Sequence, residues 1–275
     1  MSGAGSEDLL VGCDFSSSPR RGKPIVMAHG RREGDLIRLE RLEILESLAA
    51  FGAWLAAPRR WICGFDFPFG LPRELVEQLG WPRDWEASLR HYAALSRAEI
   101  RSTFAAFCAA RPAGAKFAHR AFDRRAGSSP SMKWVNPPVA YMLHAALPLL
   151  LDAGVHIPGL HAGDERRVAL EAYPGLLARE LVGRRSYKND QKAKQTPERR
   201  AAREEIVARL EGGRTRLGLR LDAGPLQEEL LADGGGDRLD AALCLLQAAW
   251  GALRGPPDYG LPPDLDRLEG WIVTA

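Results

Sequence analysis

The stretch Asp8–Phe15, DLLVGCDF, decides the fold because its pattern recurs: Trp61–Phe67 reads WICGFDF. Each is a short apolar run closing on Gly-x-Asp-Phe. Continuous apolar runs of this length mark strands buried on both faces. Each also sets one aspartate, Asp14 or Asp66, at the C-terminal end of its strand, just before a loop of Ser, Pro and Gly. In open α/β sheets ligands gather at those strand ends. If the two strands are neighbours, their carboxylates stand about 5 Å apart at backbone level. Anions so close raise each other's pKa, and a divalent metal relieves the repulsion. The plain alternative is that each aspartate caps its own turn.

Working outward, Gly22–His29 and Asp35–Leu39 read as two more strands around the turn signal Gly30–Gly34, which makes a β-meander. Leu42–Ala57 predicts a helix, with Leu45, Leu48, Ala49, Gly52 and Leu55 along one stripe. The strand 61–67 then follows, and a meander joined to a crossover implies a mixed α/β sheet. Segment 81–140, rich in Ala, Arg and aromatics, reads as a largely helical insertion within a single domain spanning 1–275. Val139–Ala153 predicts a core helix, Arg166–Tyr173 a strand and Tyr187–Gln195 a polar loop. Thr196-Pro197 opens a charged helix. Arg238–Leu253 is apolar almost all round and predicts a buried helix. The closing WIVTA suits a short final strand.

Three further acids stand out. Glu171 lies in the apolar strand VALEAYP. Asp237 and Asp240 lie in DRLDAAL, and a spacing of three puts them on one helix face near the N-terminus, where the dipole favours anions. Asp237 is equally suited to N-cap the helix. Asp240 sits within an apolar helix, where an unpaired carboxylate costs several kcal/mol and needs a cation. Oxygen ligands without a His or Cys cluster select Mg²⁺ or Mn²⁺ over zinc. Two such ions about 4 Å apart suit hydrolysis of a phosphodiester. Candidate substrate contacts are Ser16 in the run Ser16–Ser18, Lys188, and His119, Arg120 and Asp123 in HRAFDRR. Arg120 and Asp123 also have the spacing of a helical ion pair.

Composition sets the bounds. With 275 residues, 45% apolar and 27% charged, the chain is that of a soluble globular protein, not a disordered or collagen-like one. No apolar run reaches the roughly 18 residues of a membrane span. MSGAGSEDLL lacks the features of a secretory signal. The four scattered cysteines read as reduced thiols, so a cytoplasmic protein is expected. The net charge is only +3, but Arg184–Arg220 carries +7 and Arg111–Arg125 carries +4, a distribution able to attract a polyanion. No P-loop or Rossmann fingerprint is present. His156 and His161 do not match zinc spacing. Ser16, two residues after Asp14, argues against an aspartyl-phosphate phosphatase.

The order Gly-x-Asp at the first strand, FDFPFGLP at the fourth, Glu-x-Tyr-Pro after the insertion and then Asp-x-x-Asp-Ala-Ala resembles the DUF429 family. Tyr187-Lys188 and the closing Glu269-Gly270-Trp271-Ile272 are similar to that family as well. One departure is that Phe15 and Ser16–Ser18 replace the glycine-rich turn common after the first aspartate. The family is regarded as predicted nucleases of the ribonuclease-H-like superfamily. The resemblance implies a five-stranded mixed sheet in the order 3-2-1-4-5, flanked by helices. It also implies metal ligation by Asp14, Asp66 and Asp240, with Glu171 and Asp237 assisting. The acidic helix is similar to the C-terminal helix of Holliday-junction resolvases. The expected activity is two-metal hydrolysis of a nucleic acid, DNA or RNA. The alternatives are an ATP- or nucleotide-binding phosphotransferase of the actin-like or sugar-kinase branch, and an inactive nucleic-acid-binding module.

Overall fold

The computed structural model describes residues 9–275; Asp8 and the rest of the stretch 1–8 lie outside it. Strand β1 (Leu9–Asp14) runs into the hairpin of β2 (Ile25–Glu33) and β3 (Leu36–Leu45). Helix α1 (Leu48–Ala56) crosses over to β4 (Trp61–Phe65). Helices α2 (Arg73–Gln78), α3 (Trp85–Ala93), α4 (Arg97–Ala109) and α5 (Asp123–Ala126) precede the core helix α6 (Val139–Asp152). There follow β5 (Val155–His156), β6 (Asp164–Glu171), α7 (Pro174–Val182), α8 (Pro197–Glu211), β7 (Arg220–Asp222), α9 (Gln227–Ala232) and α10 (Asp237–Arg254).

The fold is mixed α/β, with seven strands in the order β5-β6-β4-β1-β2-β3-β7. The sheet is thus larger than the five strands expected, and its order differs accordingly. The additions are edge strands of two and three residues, β5 and β7, too short to give a periodic signal. β1 pairs antiparallel with β2 and parallel with β4, and β4 pairs parallel with β6.

Several expected boundaries move: β2 starts at Ile25 and runs on to Glu33, and β6 spans Asp164–Glu171. The hairpin turn is only Gly34-Asp35, with Gly34 at φ 66°. β3 continues to Leu45, which pairs with Ile25. Leu42 and Leu45 therefore belong to a strand, and α1 starts after Ser47, whose hydroxyl accepts from the Ala50 N–H. The closing WIVTA forms no strand; it contributes one parallel bridge, Glu171 to Ile272. No described helix is long and apolar enough to cross a membrane. The four cysteines are buried free thiols.

Alternation along the central strands sorts the side chains. Val11, Cys13 and Phe15 of the first strand and Trp61, Cys63 and Phe65 of β4 join one apolar layer with α1 and α6. Leu10 and Ile62 join the opposite layer, built on α7, α8 and α10. With a period of two, Gly12 and Asp14 face α10, as do Gly64 and Asp66. Gly12 and Gly64 are direct partners across the β1–β4 ladder. A Cβ on Gly12 would lie 2.1 Å from both the Ala241 carbonyl oxygen and the Leu245 nitrogen. One on Gly64 would lie 2.6 Å from the Cys244 carbonyl oxygen. The paired glycines thus let the helix backbone rest directly on the strands. α10 is buried almost all round, from Leu239 to Ala249, in accord with its apolar sequence.

A methyl at position 12 cannot be absorbed by a side-chain rotation, because its neighbours are backbone atoms. Gly12→Ala is expected to cost about 3 kcal/mol or more of unfolding free energy. Urea denaturation checks this, and a loss under about 1 kcal/mol would contradict the packing.

Candidate metal centre

The strand ends and the first turns of α10 converge on three aspartates. One carboxylate oxygen each from Asp14, Asp66 and Asp240 lies within 4.8 Å of the others. The Asp66 N–H donates to the Cys13 carbonyl at 2.9 Å, which carries the β1–β4 pairing up to the acids. Asp14 is 7% exposed and Asp240 is fully buried. Among the described residues neither Asp14 nor Asp66 has a hydrogen-bond or ion-pair partner for its carboxylate. Desolvation, then repulsion from Asp237 and Asp240, pushes Asp14 well above the usual carboxylate range. Desolvation and the neighbouring Asp240 push Asp66 up to about 7. Asp237 is raised by burial, although Lys23 opposes it.

Asp240 is held differently. The Tyr187 hydroxyl donates to its Oδ1 at 2.6 Å, and Lys188 Nζ donates to its Oδ2. Lys23 Nζ lies 2.6 Å from Asp190 and 3.6 Å from Asp237. A cleft of about 790 Å³ opens above Asp14 and Asp66. Its walls include Ser16 and Lys23 on one side, Asn136–Val139 on another, and the 183–190 loop with Lys188 and Asp237.

Glu171 does not join the triad. It pairs in register with Phe65, so it shares the face of Phe65, opposite to that of Asp66. The position level with Asp66 on that face belongs to Ala172, whose N–H donates to the Phe65 carbonyl at 2.9 Å. Glu171 instead accepts from Arg120 Nη1 and Nη2 at 2.8 and 2.6 Å and from the Phe69 N–H at 2.8 Å. Burial raises its pKa, with Arg120 opposing.

Arg120 is 3% exposed and also bonds Asp123 and the Glu269 carbonyl. Its fork is occupied by protein groups and Asp123 lies outside the cleft lining, while Arg120 itself lines the cleft beside Glu171. His119 lies outside the cleft lining, and burial lowers its pKa. The expected helix after Thr196 is present as α8, but Thr196 makes no side-chain cap. Its arginines pair with surface acids, Arg200 with Glu228 and Arg209 with Glu205, leaving less basic surface than the count suggests.

Sequence reasoning did not find Lys23 or the role of Tyr187. Lys23 falls inside the strand expected over 22–29, whereas the structure places it in an isolated bridge with Arg20 ahead of β2. Tyr187 had a signal in its adjacency to Lys188, for two neighbours can take the two oxygens of one carboxylate.

A family profile described as "Protein of unknown function (DUF429)" matches residues 12–259. The chain belongs to the DUF429 family. No match was found among curated proteins or solved structures. The DUF429 match begins at Gly12 and extends past α10, so it contains all three converging aspartates.

Two expectations follow for this DUF429 protein. Arg120→Met leaves Glu171 and Asp123 buried without their counter-charge and should cost about 3–5 kcal/mol of stability. A shift in urea midpoint at unchanged slope measures it; an unaltered midpoint would refute the buried tie. The second concerns pH. Asp66 titrates near 4 in the unfolded chain and at about 7 in the metal-free fold. The folded state therefore binds the extra proton between these values. The stability this contributes is present at the acid end and is lost as pH rises through about 7. Asp66→Asn should raise the melting temperature of metal-free protein at pH 8 more than at pH 5. The reverse order would show that the carboxylate is not strained.

Proposed function

We propose that the protein is a divalent-metal-dependent phosphodiesterase or nuclease with a ribonuclease-H-like core. The single observation that carries this reading is the convergence of Asp14 and Asp66, at the ends of two parallel strands, with Asp240 of α10, the first two carboxylates having no partner among the described residues. Within the seven-stranded sheet the run β3-β2-β1-β4-β6 has the order 3-2-1-4-5, which supports the core assignment.

The donor set fits the ion. Mg²⁺ binds oxygen at about 2.0–2.1 Å, so opposite ligands in its sphere stand about 4.2 Å apart; three oxygens within 4.8 Å need draw together by only about half an ångström to share one ion. All three donors are hard carboxylate oxygens, the choice of Mg²⁺ or Mn²⁺ over softer metals. Two unit charges 4 Å apart repel by about 4 kcal/mol at an effective dielectric of 20. A lone lysine offsets one of the three carboxylate charges, whereas a divalent cation offsets two.

In this reading Asp14 and Asp66 hold the ions from the strand side and Asp240 from the helix side, with Asp237 near the cleft wall. Bound there, a pair of divalent ions supplies an activated water and stabilises charge on the phosphodiester oxygens. The chain's own residues do the rest. Ser16 and Lys23 line the wall beside Asp14 and offer a hydroxyl and a cation to phosphate oxygens. Pro137, Pro138 and Val139 give the cleft an apolar stretch of wall. The residual positive charge of the 183–190 loop suits a nucleic-acid backbone.

The purified protein should cleave an oligonucleotide panel of single- and double-stranded DNA and RNA with Mn²⁺ or Mg²⁺, and not with EDTA. Loss of a ligand removes several kcal/mol of charge stabilisation, so Asp14→Asn should lower the rate by at least about a hundredfold. Cleavage that persists in EDTA and survives Asp14→Asn would exclude this mechanism. Tight ATP binding without cleavage would favour a phosphotransferase instead.

A further inference from the structure

Resting on the reading of the acidic triad as a divalent-cation site, we infer that Lys188 is a built-in cation that competes with the metal for Asp240. Both oxygens of Asp240 are taken by two consecutive residues of one loop, Tyr187 on Oδ1 and Lys188 on Oδ2. Asp14 and Asp66 have no such partner among the described residues. Lys23 is turned to Asp190 and Asp237. Lys188 is thus the ammonium bonded to the triad itself, at a carboxylate that would hold the cation.

The arrangement is fixed from below. Arg203, 4% exposed, donates to the Tyr187 carbonyl at 2.6 Å and to the Leu231 carbonyl at 2.9 Å. The Asn189 N–H donates to the Gly234 carbonyl at 3.0 Å. Gly236 has φ 81°, and a Cβ there would lie 2.7 Å from Lys188 Cβ. The triglycine turn Gly234–Gly236 is therefore the seat over which the Lys188 stem crosses the start of α10. The loop backbone is held, but the ammonium ends a flexible four-carbon stem. The Lys188 side chain is 40% exposed and already lines the cleft. It can leave Asp240 without unseating the loop.

The two cations exclude each other at Asp240. The ammonium offsets part of the triad's charge when no ion is bound. An arriving ion takes over that role and repels Lys188 toward the cleft, where an anionic substrate would meet it. A lysine with a purely structural role makes the opposite prediction: its removal would loosen Asp240 and leave metal affinity unchanged or weakened.

Calorimetric titration of Mn²⁺ into the full-length wild type, Lys188→Gln and Lys188→Met separates these. Gln keeps a hydrogen-bond donor for Asp240 while removing the charge, so it serves if the Met variant fails to fold. Loss of the competing charge should tighten Mn²⁺ binding by about tenfold or more. The metal-free variants should melt below wild type and gain more from saturating Mn²⁺. Binding by the variants alone would likewise support the inference. Equal or weaker affinity in every folded variant, with wild type binding, overturns the competition and leaves the metal site standing. No binding by any of the three proteins overturns both.

Discussion

Helix α10 meets β1 and β4 backbone against backbone, and the rest of the site follows from that contact. Ordinary side chains at positions 12 and 64 would hold a helix about 10 Å from a sheet, as sheet-packing distances require. The paired glycines remove that spacer at one place. Because Asp14 and Asp66 follow each glycine by two residues, they project from the same face, just past the helix's first turns. Asp240 then meets them without any long side chain having to reach. Gly-x-Asp is in this sense one unit, in which the glycine sets the distance and the aspartate uses it.

The two faces of the sheet deal with buried acid in opposite ways. On the face of Phe65, Glu171 is matched by Arg120, which also gathers Asp123 and the Glu269 carbonyl. Glu269 in turn accepts from the Arg73 and Ala121 N–H groups, so the acid and its partners bind the insertion and the C-terminal tail to the strand ends. On the face of α10, acids outnumber their cations, and desolvation drives Asp14 and Asp66 toward protonation. A complete set of partners makes a joint. An incomplete one, at the floor of a cleft, leaves unmet charge that a ligand can satisfy at the expense of the apo fold's stability.

Much of this was legible in residues 8–15 and 61–67. Apolar continuity marked the two central strands, and the aspartates at their ends marked the functional edge. The burial of Asp240 followed from its apolar helix. Glu171 was visible as a strand-end acid, but not its tie to Arg120: counting by twos from the aligned glycines sets it with Phe65, while it still lines the cleft. The glycines were read as part of a motif, but a contact with a helix more than 170 residues away leaves no local trace. The same holds for Arg120, whose nearby Asp123 was visible and whose distant Glu171 was not. The edge strands β5 and β7 were missed because two or three residues carry no periodicity, and Leu45 was assigned to a helix because its spacing fitted both patterns.

The placement of α10 also bears on how the protein comes into being on the ribosome. The meander, α1 and β4 can pair as soon as they emerge, since their partners lie close in sequence. Their aspartates then face a gap that only the chain's last long helix fills, after some 170 further residues of synthesis. Until it arrives, Gly12 and Gly64 leave a bare strip of backbone exposed where other sheets show side chains. The nascent chain thus carries two of its three converging acids early and cannot assemble the trio until α10 has been made. Any chemistry resting on that trio would be absent from chains that stop short of α10.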